Sequence, residues 1–174
     1  MKYLIIIILA ITAQVTAQDA QQSPAPISAK KNAAYEAKAQ SRVVEFYSYL
    51  ELLTDPKGNA EIKQQALESA NKLFIANTIC DNVFETKASG IPIASVLKAA
   101  MAQQKKHTFE VQGFNIEVLS DTAARKEWQL TYKLLKNGKP LNISQLFFIV
   151  QEDKKFGNTT KRVTNTYLGA ITIK

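Results

Sequence analysis

Cysteine and histidine are nearly missing from this 174-residue chain, with one of each, Cys80 and His107. A lone cysteine allows no intramolecular disulfide, so in an oxidising compartment the fold must stand on its apolar core. Cys80 ends the apolar stretch that starts at Leu73 and is expected to be buried and inert. One histidine and one cysteine cannot assemble a zinc site of the usual nitrogen and sulfur ligands within one chain. Arginine is scarce too: only three of the 22 basic residues are Arg, the side chain suited to bidentate phosphate and base contacts. Nucleic acid is therefore not an expected partner. Cys-x-x-Cys, His-Glu-x-x-His, Gly-x-Ser-x-Gly and glycine-rich phosphate loops are all missing. Asp19, Asp55, Asp81, Asp121 and Asp153 are scattered, without calcium-loop spacing. No metal and no cofactor is expected.

What is present begins at the N-terminus. Met1-Lys2 is followed by the uncharged run Tyr3 to Ile11 and then Val15-Thr16-Ala17, the pattern of a secretory signal peptide over residues 1–17. The run is shorter than the roughly 20 apolar residues that span a bilayer, and Gln14, Gln18 and Asp19 follow without a basic flank. Export to the periplasm or the medium is expected, with cleavage after Ala17 and no stable membrane span afterwards. Residues 18–29, rich in Gln, Ala, Ser and Pro, read as a flexible leader to one α+β domain over 30–174.

The formal charge of +7 is unevenly placed. Lys105 to Lys174 holds twelve Lys and Arg against six Asp and Glu, whereas Gln18 to Gln104 carries nine of each. A solvated lysine-rich surface accounts for this, and so does a face for anionic envelope surfaces.

Helical spacing runs from about Lys30 to Leu53, where Val43, Phe46, Tyr47, Leu50 and Leu53 line one face. Asp55-Pro56-Lys57-Gly58 stops it, and Asn59 caps a second helix striped by Ile62, Ala66, Leu67, Ala70, Leu73 and Phe74. Val83 to Thr86 suits a short strand, and Pro92 the first turn of a third helix bearing Ile93, Val96, Leu97, Ala100 and Met101. After Lys105 the period becomes two. Phe109 and Val111 alternate on odd positions but Phe114, Ile116 and Val118 on even ones, a slip that a β-bulge at Gly113 produces. Trp128, Leu130, Tyr132 and Leu134 mark a second strand, which Asn137-Gly138 turns into a third from about Leu141 to Glu152. Its stretch Leu146 to Val150 is apolar on both faces and is expected to be covered on both, on one side by another segment or the second copy of a homodimer. After a turn around Lys154 to Asn158, a last strand from about Lys161 to Ile173 places Val163, Asn165, Tyr167, Ile171 and Ile173 on one face.

Three N-terminal helices followed by a bent antiparallel sheet resemble the nuclear transport factor 2-like superfamily, including its SnoaL-like branch. The resemblance covers roughly Lys30 to Lys174. It rests on this order together with Val43-Val44-Glu45-Phe46-Tyr47-Ser48-Tyr49-Leu50, Ile91 to Leu97 and Gln145-Leu146-Phe147-Phe148-Ile149-Val150. It implies a cone closed by helices and, for the SnoaL-like enzymes, a buried Asp/His pair inside the cone. That pair has no match at inward positions here.

Three functions compete on these residues. The first is an exported non-catalytic module that binds a small apolar or aromatic ligand, or another envelope protein, through a surface lined by Trp128, Tyr132, Asn165 and Tyr167. The plain alternative for those four is packed core. The second is a small exported enzyme of isomerase or hydrolase type with His107, Glu110 or Glu117 as base, although alternation sets both glutamates opposite the apolar residues of their strand. The third is a basic adaptor for anionic envelope surfaces.

Overall fold

A computed structural model of the chain describes residues 29–85 and 89–174. The expected signal peptide and its leader through Ser28 lie outside them. Helix α1 (Ala29–Thr54) is followed by α2 (Ala60–Lys72), the two-residue strands β1 (Ile79–Cys80) and β2 (Ile91–Pro92), and α3 (Ile93–Met101). Four long strands complete the order: β3 (Phe109–Asp121), β4 (Arg125–Lys136), β5 (Lys139–Phe156) and β6 (Thr159–Ile173). They form one antiparallel meander, β3-β4-β5-β6, beside the small β1-β2 pair.

The α1 stripe is buried throughout, from Val43 through Phe46, Tyr47 and Leu50 to Leu53. The helix ends at Asp55-Pro56, and the Asn59 side chain accepts the Glu61 and Ile62 N–H groups to start α2. Ala66 and Ala70 carry the buried face of α2, whereas Ile62, expected on that stripe, is exposed in its first turn. Leu73 and Phe74 lie just past the helix and fasten the open edge of the sheet: Leu168 N–H donates to the Leu73 carbonyl and Ile75 N–H to the Leu168 carbonyl.

The expected strand over Val83 to Thr86 is instead a turn where it is described. The Asn82 side chain accepts the Phe84 N–H at 3.0 Å, and its carbonyl accepts that of Glu85. An Asx turn so formed takes the backbone groups that a strand would offer to a partner. The strand pair falls one step either side, at Ile79–Cys80 and Ile91–Pro92. Pro92 is the N-cap of α3 rather than a residue of its first turn, and Met101, at the C-terminal end, is exposed.

The sheet carries three irregularities. Gly113, with φ +62°, sits in the register shift between Gln112 and Asn115, where the phase slip requires it. A second shift, between Val118 and Ser120, ends the inward run, and Val118 is 53% exposed rather than core. The third is on β6: Gln145 pairs with Ile171 but Phe147 with Leu168, so two steps on β5 face three on β6. Each bulge bends its strand, and the sheet curves around α1. The core is one cluster shared by the helices and the inner sheet face.

On the strand that is apolar on both faces, the outward Phe148 is covered by this chain, while Leu146 and Val150 beside it stay half-exposed. Phe147 and Ile149 point to the core, while the outward Phe148 lies over Gly169 and under the Arg125 guanidinium, 4.2 Å from the ring centroid. Burial of Phe148 therefore needs no second copy. Cys80 is buried, and burial pushes its thiol up to about 12, so it carries no thiolate at neutral pH.

Candidate functional site

Inside the curved sheet, β4 places Lys126, Trp128, Leu130, Tyr132 and Leu134 on the buried face by strict alternation. Tyr132 meets Tyr47 of α1, their hydroxyls 3.1 Å apart, and donates to Gln145 Oε1 at 2.6 Å. Since the one Tyr132 proton goes to Gln145, Tyr47 is the donor to Tyr132. Gln145 is buried, and its Nε2 has no partner among the described residues. Burial holds both phenols above their ordinary range, so both are neutral donors, not bases. Phe114 stacks on Tyr132 at 5.7 Å, and Trp128 leans on Phe147 at 6.0 Å. This interior is occupied by interlocked aromatic rings.

Asn165 and Tyr167 are not with them. The β6 bulge at Gly169-Ala170 reverses the alternation upstream of it, so Val163, Asn165 and Tyr167 pair with Glu152, Val150 and Phe148 on the outer face. Ile171 and Ile173 remain inward. The expected single face from Val163 to Ile173 is thus split, because one extra residue in a strand exchanges inside for outside. Asn165 Nδ2 donates to one oxygen of Glu152 at 2.6 Å, and the Tyr167 hydroxyl to the other at 3.2 Å.

His107 is buried and held on every side. Its Nδ1 accepts from Asn137 Nδ2 at 2.8 Å, its Nε2 faces Gln103 Oε1 at 3.2 Å, and its N–H donates to Thr54 Oγ1. Burial, and then the charges of Lys136 and Lys105, lower its pKa, so the ring is neutral at pH 7 with its proton on Nε2. Asn137 also has the positive φ of the β4–β5 turn and accepts the Thr108 N–H, so His107 ties that turn to the end of α1. Glu110 and Glu117 are exposed on β3. Neither glutamate therefore faces the interior, and both ring nitrogens of the buried His107 are engaged by Asn137 and Gln103. Among the described residues no cluster of three or more His, Cys, Asp or Glu is placed to hold a metal ion, and no helix is long and apolar enough to cross a membrane.

One open space lies at the mouth of the curve. A groove of about 410 Å³ runs between the first turns of α1 and the free edge of β6, lined by Ala34, Tyr35, Lys38, Arg42 and Thr164 to Thr166. Helical spacing i, i+3, i+7 puts Tyr35, Lys38 and Arg42 on one face of α1. Lys38 makes no ion pair among the described residues. Arg42 gives Nη1 to Glu45 at 2.9 Å, but its Nε is buried without a partner among the described residues. The floor is aromatic: the Tyr35 ring meets Trp128 edge-on at 6.3 Å. Behind Trp128, Lys126 is buried at an inward position and paired with Asp121. Sequence reasoning missed Tyr35, Lys38, Arg42 and Lys126. For the α1 residues the available signal was two cations and a tyrosine on one helical face upstream of the apolar stripe.

No family model matches the chain, and no curated protein does. Among solved structures, a protein from Catenulispora acidiphila is 10% identical over 83% of this chain and 94% of its own, with a TM-score of 0.48. An NTF2-like protein of unknown function from Pseudomonas aeruginosa is 12% identical over 81% and 98%, with a TM-score of 0.43. Another, from Cytophaga hutchinsonii, is 13% identical over 78% and 88%, with a TM-score of 0.35. Two of these three bear the name NTF2-like.

Proposed function

We propose that the protein is an exported, non-catalytic module that binds a small aromatic or aliphatic carboxylate in the groove between α1 and β6. The carrying observation is that Arg42, whose Nε is buried with no partner among the described residues, lines a groove of about 410 Å³ together with Lys38, which makes no ion pair among them. A buried guanidinium nitrogen without an acceptor leaves a polar group unsatisfied, and a carboxylate supplies that acceptor together with the opposite charge. Tyr35 and Ala34 give the apolar body of such a ligand a wall, and Thr164 and Thr166 offer hydroxyls at the rim.

Titration of the protein with benzoate and with octanoate, followed by amide shifts in a two-dimensional NMR spectrum, tests the reading. Shifts confined to α1 residues 34–42 and β6 residues 164–166 are expected. Arg42→Ala is expected to weaken binding about tenfold or more, from the roughly 1.5–3 kcal/mol of a charged hydrogen bond. Titrations that leave these amides unmoved, or an unchanged affinity in Arg42→Ala, remove the carboxylate site.

Export rests on the 17-residue N-terminal segment. Intact-mass analysis of the protein recovered outside the cytoplasm is expected to give a chain starting Gln18-Asp19-Ala20. A full-length chain retained at the membrane contradicts that expectation.

A further inference from the structure

Pairing between β4 and β5 ends at Arg125 and Val150, yet β5 and β6 continue as a pair from Gln151–Thr164 to Phe156–Thr159. Six residues of each strand therefore form an arm reaching about 20 Å past the sheet. Its last bond to the rest of the sheet is from the Gln151 N–H to the Ala124 carbonyl, at 2.9 Å. Gly157, with φ +60°, turns the tip.

The arm is predominantly basic. It holds Lys154, Lys155, Lys161 and Arg162 against Glu152 and Asp153; Glu152 accepts from Asn165 and Tyr167, and Asp153 is paired with Arg162 at 3.2 Å. Lys154 stands directly opposite Lys161, and neither has an acidic partner among the described residues. Like charges facing each other across a strand pair destabilise it. Two positions further along the same face, Phe156 is 54% exposed at the tip. Solubility explains lysines on a projecting strand pair. It does not explain a phenyl ring held out beyond them.

We infer that this arm docks on an anionic phospholipid bilayer. The order along its face fits the layering of such a surface: Phe156 foremost, to enter the boundary of the acyl chains, with Lys154 and Lys161 one step behind, at the depth of the phosphates. Phosphate between the two lysines relieves their repulsion, so the arrangement that costs stability in water favours the bound state. The arm shares Thr164 at its base with the Arg42 groove, but Lys154 and Lys161 lie three pairs further along and Phe156 beyond them, so docking through the tip does not depend on a ligand in the groove.

The test places a fluorophore at the tip by Phe156→Trp in the full chain, where the native Trp128 is buried and supplies a constant background. With vesicles of mixed phosphatidylglycerol and phosphatidylcholine, the introduced indole is expected to shift to the blue and to be quenched by lipids brominated on the acyl chain. Vesicles of phosphatidylcholine alone are expected to leave it unchanged. Adding Lys154→Gln and Lys161→Gln is expected to weaken the response about 30-fold, at about a fivefold loss per lysine. Because the signal arises at the tip, binding through the N-terminal segment does not mimic it. Unaltered thermal unfolding shows that these exposed substitutions keep the fold. No response to anionic vesicles, an equal response to neutral ones, or no effect of the lysine changes overturns the inference. So does an equal shift with inorganic phosphate at matched concentration, which identifies a free anion as the occupant.

Discussion

Trp128→Ala is expected to lower the unfolding free energy by about 3–5 kcal/mol, read from the midpoint of urea unfolding at constant slope. Trp128 is 2% exposed and sits where three elements meet: Tyr35 of α1 meets its edge, Phe147 of β5 leans against its face, and Val118 of β3 pairs with it across the sheet. Removing the indole opens a hollow that neighbours on a hydrogen-bonded sheet cannot move in to fill, so a cavity cost adds to the lost transfer energy. Because Tyr35 also forms the groove wall, carboxylate affinity is expected to fall in the same variant. A loss below about 1 kcal/mol contradicts the packing and shows that the first turns of α1 settle onto the smaller side chain.

Gly169→Ala is the second large effect, at about 1–3 kcal/mol or more. A methyl at Gly169 meets Phe148 Cε2 at 2.5 Å and Leu146 Cβ at 2.9 Å, both well inside contact distance. The Phe148 ring can swing aside only by leaving the Arg125 guanidinium and exposing its apolar face. Leu146 Cβ is fixed to the backbone of a central strand and cannot swing at all. Phe148→Ala in the Gly169→Ala background is therefore expected to recover part of the loss and not the whole. Gly113→Ala makes a useful contrast: nothing lies within 4 Å of an added carbon there, and the cost comes from φ +62° alone, roughly 1–2 kcal/mol. Equal stability of Gly169→Ala and the parent contradicts the close approach of the β5 rings to the β6 bulge. Differential scanning calorimetry of the four proteins distinguishes these outcomes.

The two substitutions probe features of unequal legibility. Trp128 and Tyr132 were readable as inward-facing, because β4 alternates without interruption and Asn137-Gly138 sets the register of the hairpin. Asn165 and Tyr167 were not, since the slip from Leu168 to Ile171 is masked by Val163 and Tyr167, which keep the odd phase of Ile171 and Ile173 but lie on the other face. At Gly113 the slip is visible as Val111 followed by Phe114; near Gly169 apolar residues stand on both sides of the shift and hide it. His107 next to Lys105-Lys106 looks like a surface residue, yet Thr54, Gln103, Asn137 and two phenyl rings bury it. Those contacts arise from four places in the chain, and no local pattern records them.

The groove follows the same logic. Tyr35, Lys38 and Arg42 are an ordinary polar helical face until β6 comes to lie beside them. Gln145 looks like the polar start of an apolar run until the sheet closes on it.

By itself, the sequence determined the three helices and four long strands, the α1 stripe, the Asn59 cap, the first bulge and the Asn137-Gly138 turn, because each depends on neighbours a few residues apart. Tertiary structure alone decided which face of β6 points inward, what surrounds His107, where the open groove lies, and how far β5 and β6 project past β4. Each of these depends on where distant segments stop pairing, or on a residue gained in a strand whose apolar side chains fall on both faces, so that alternation does not say which face is inward.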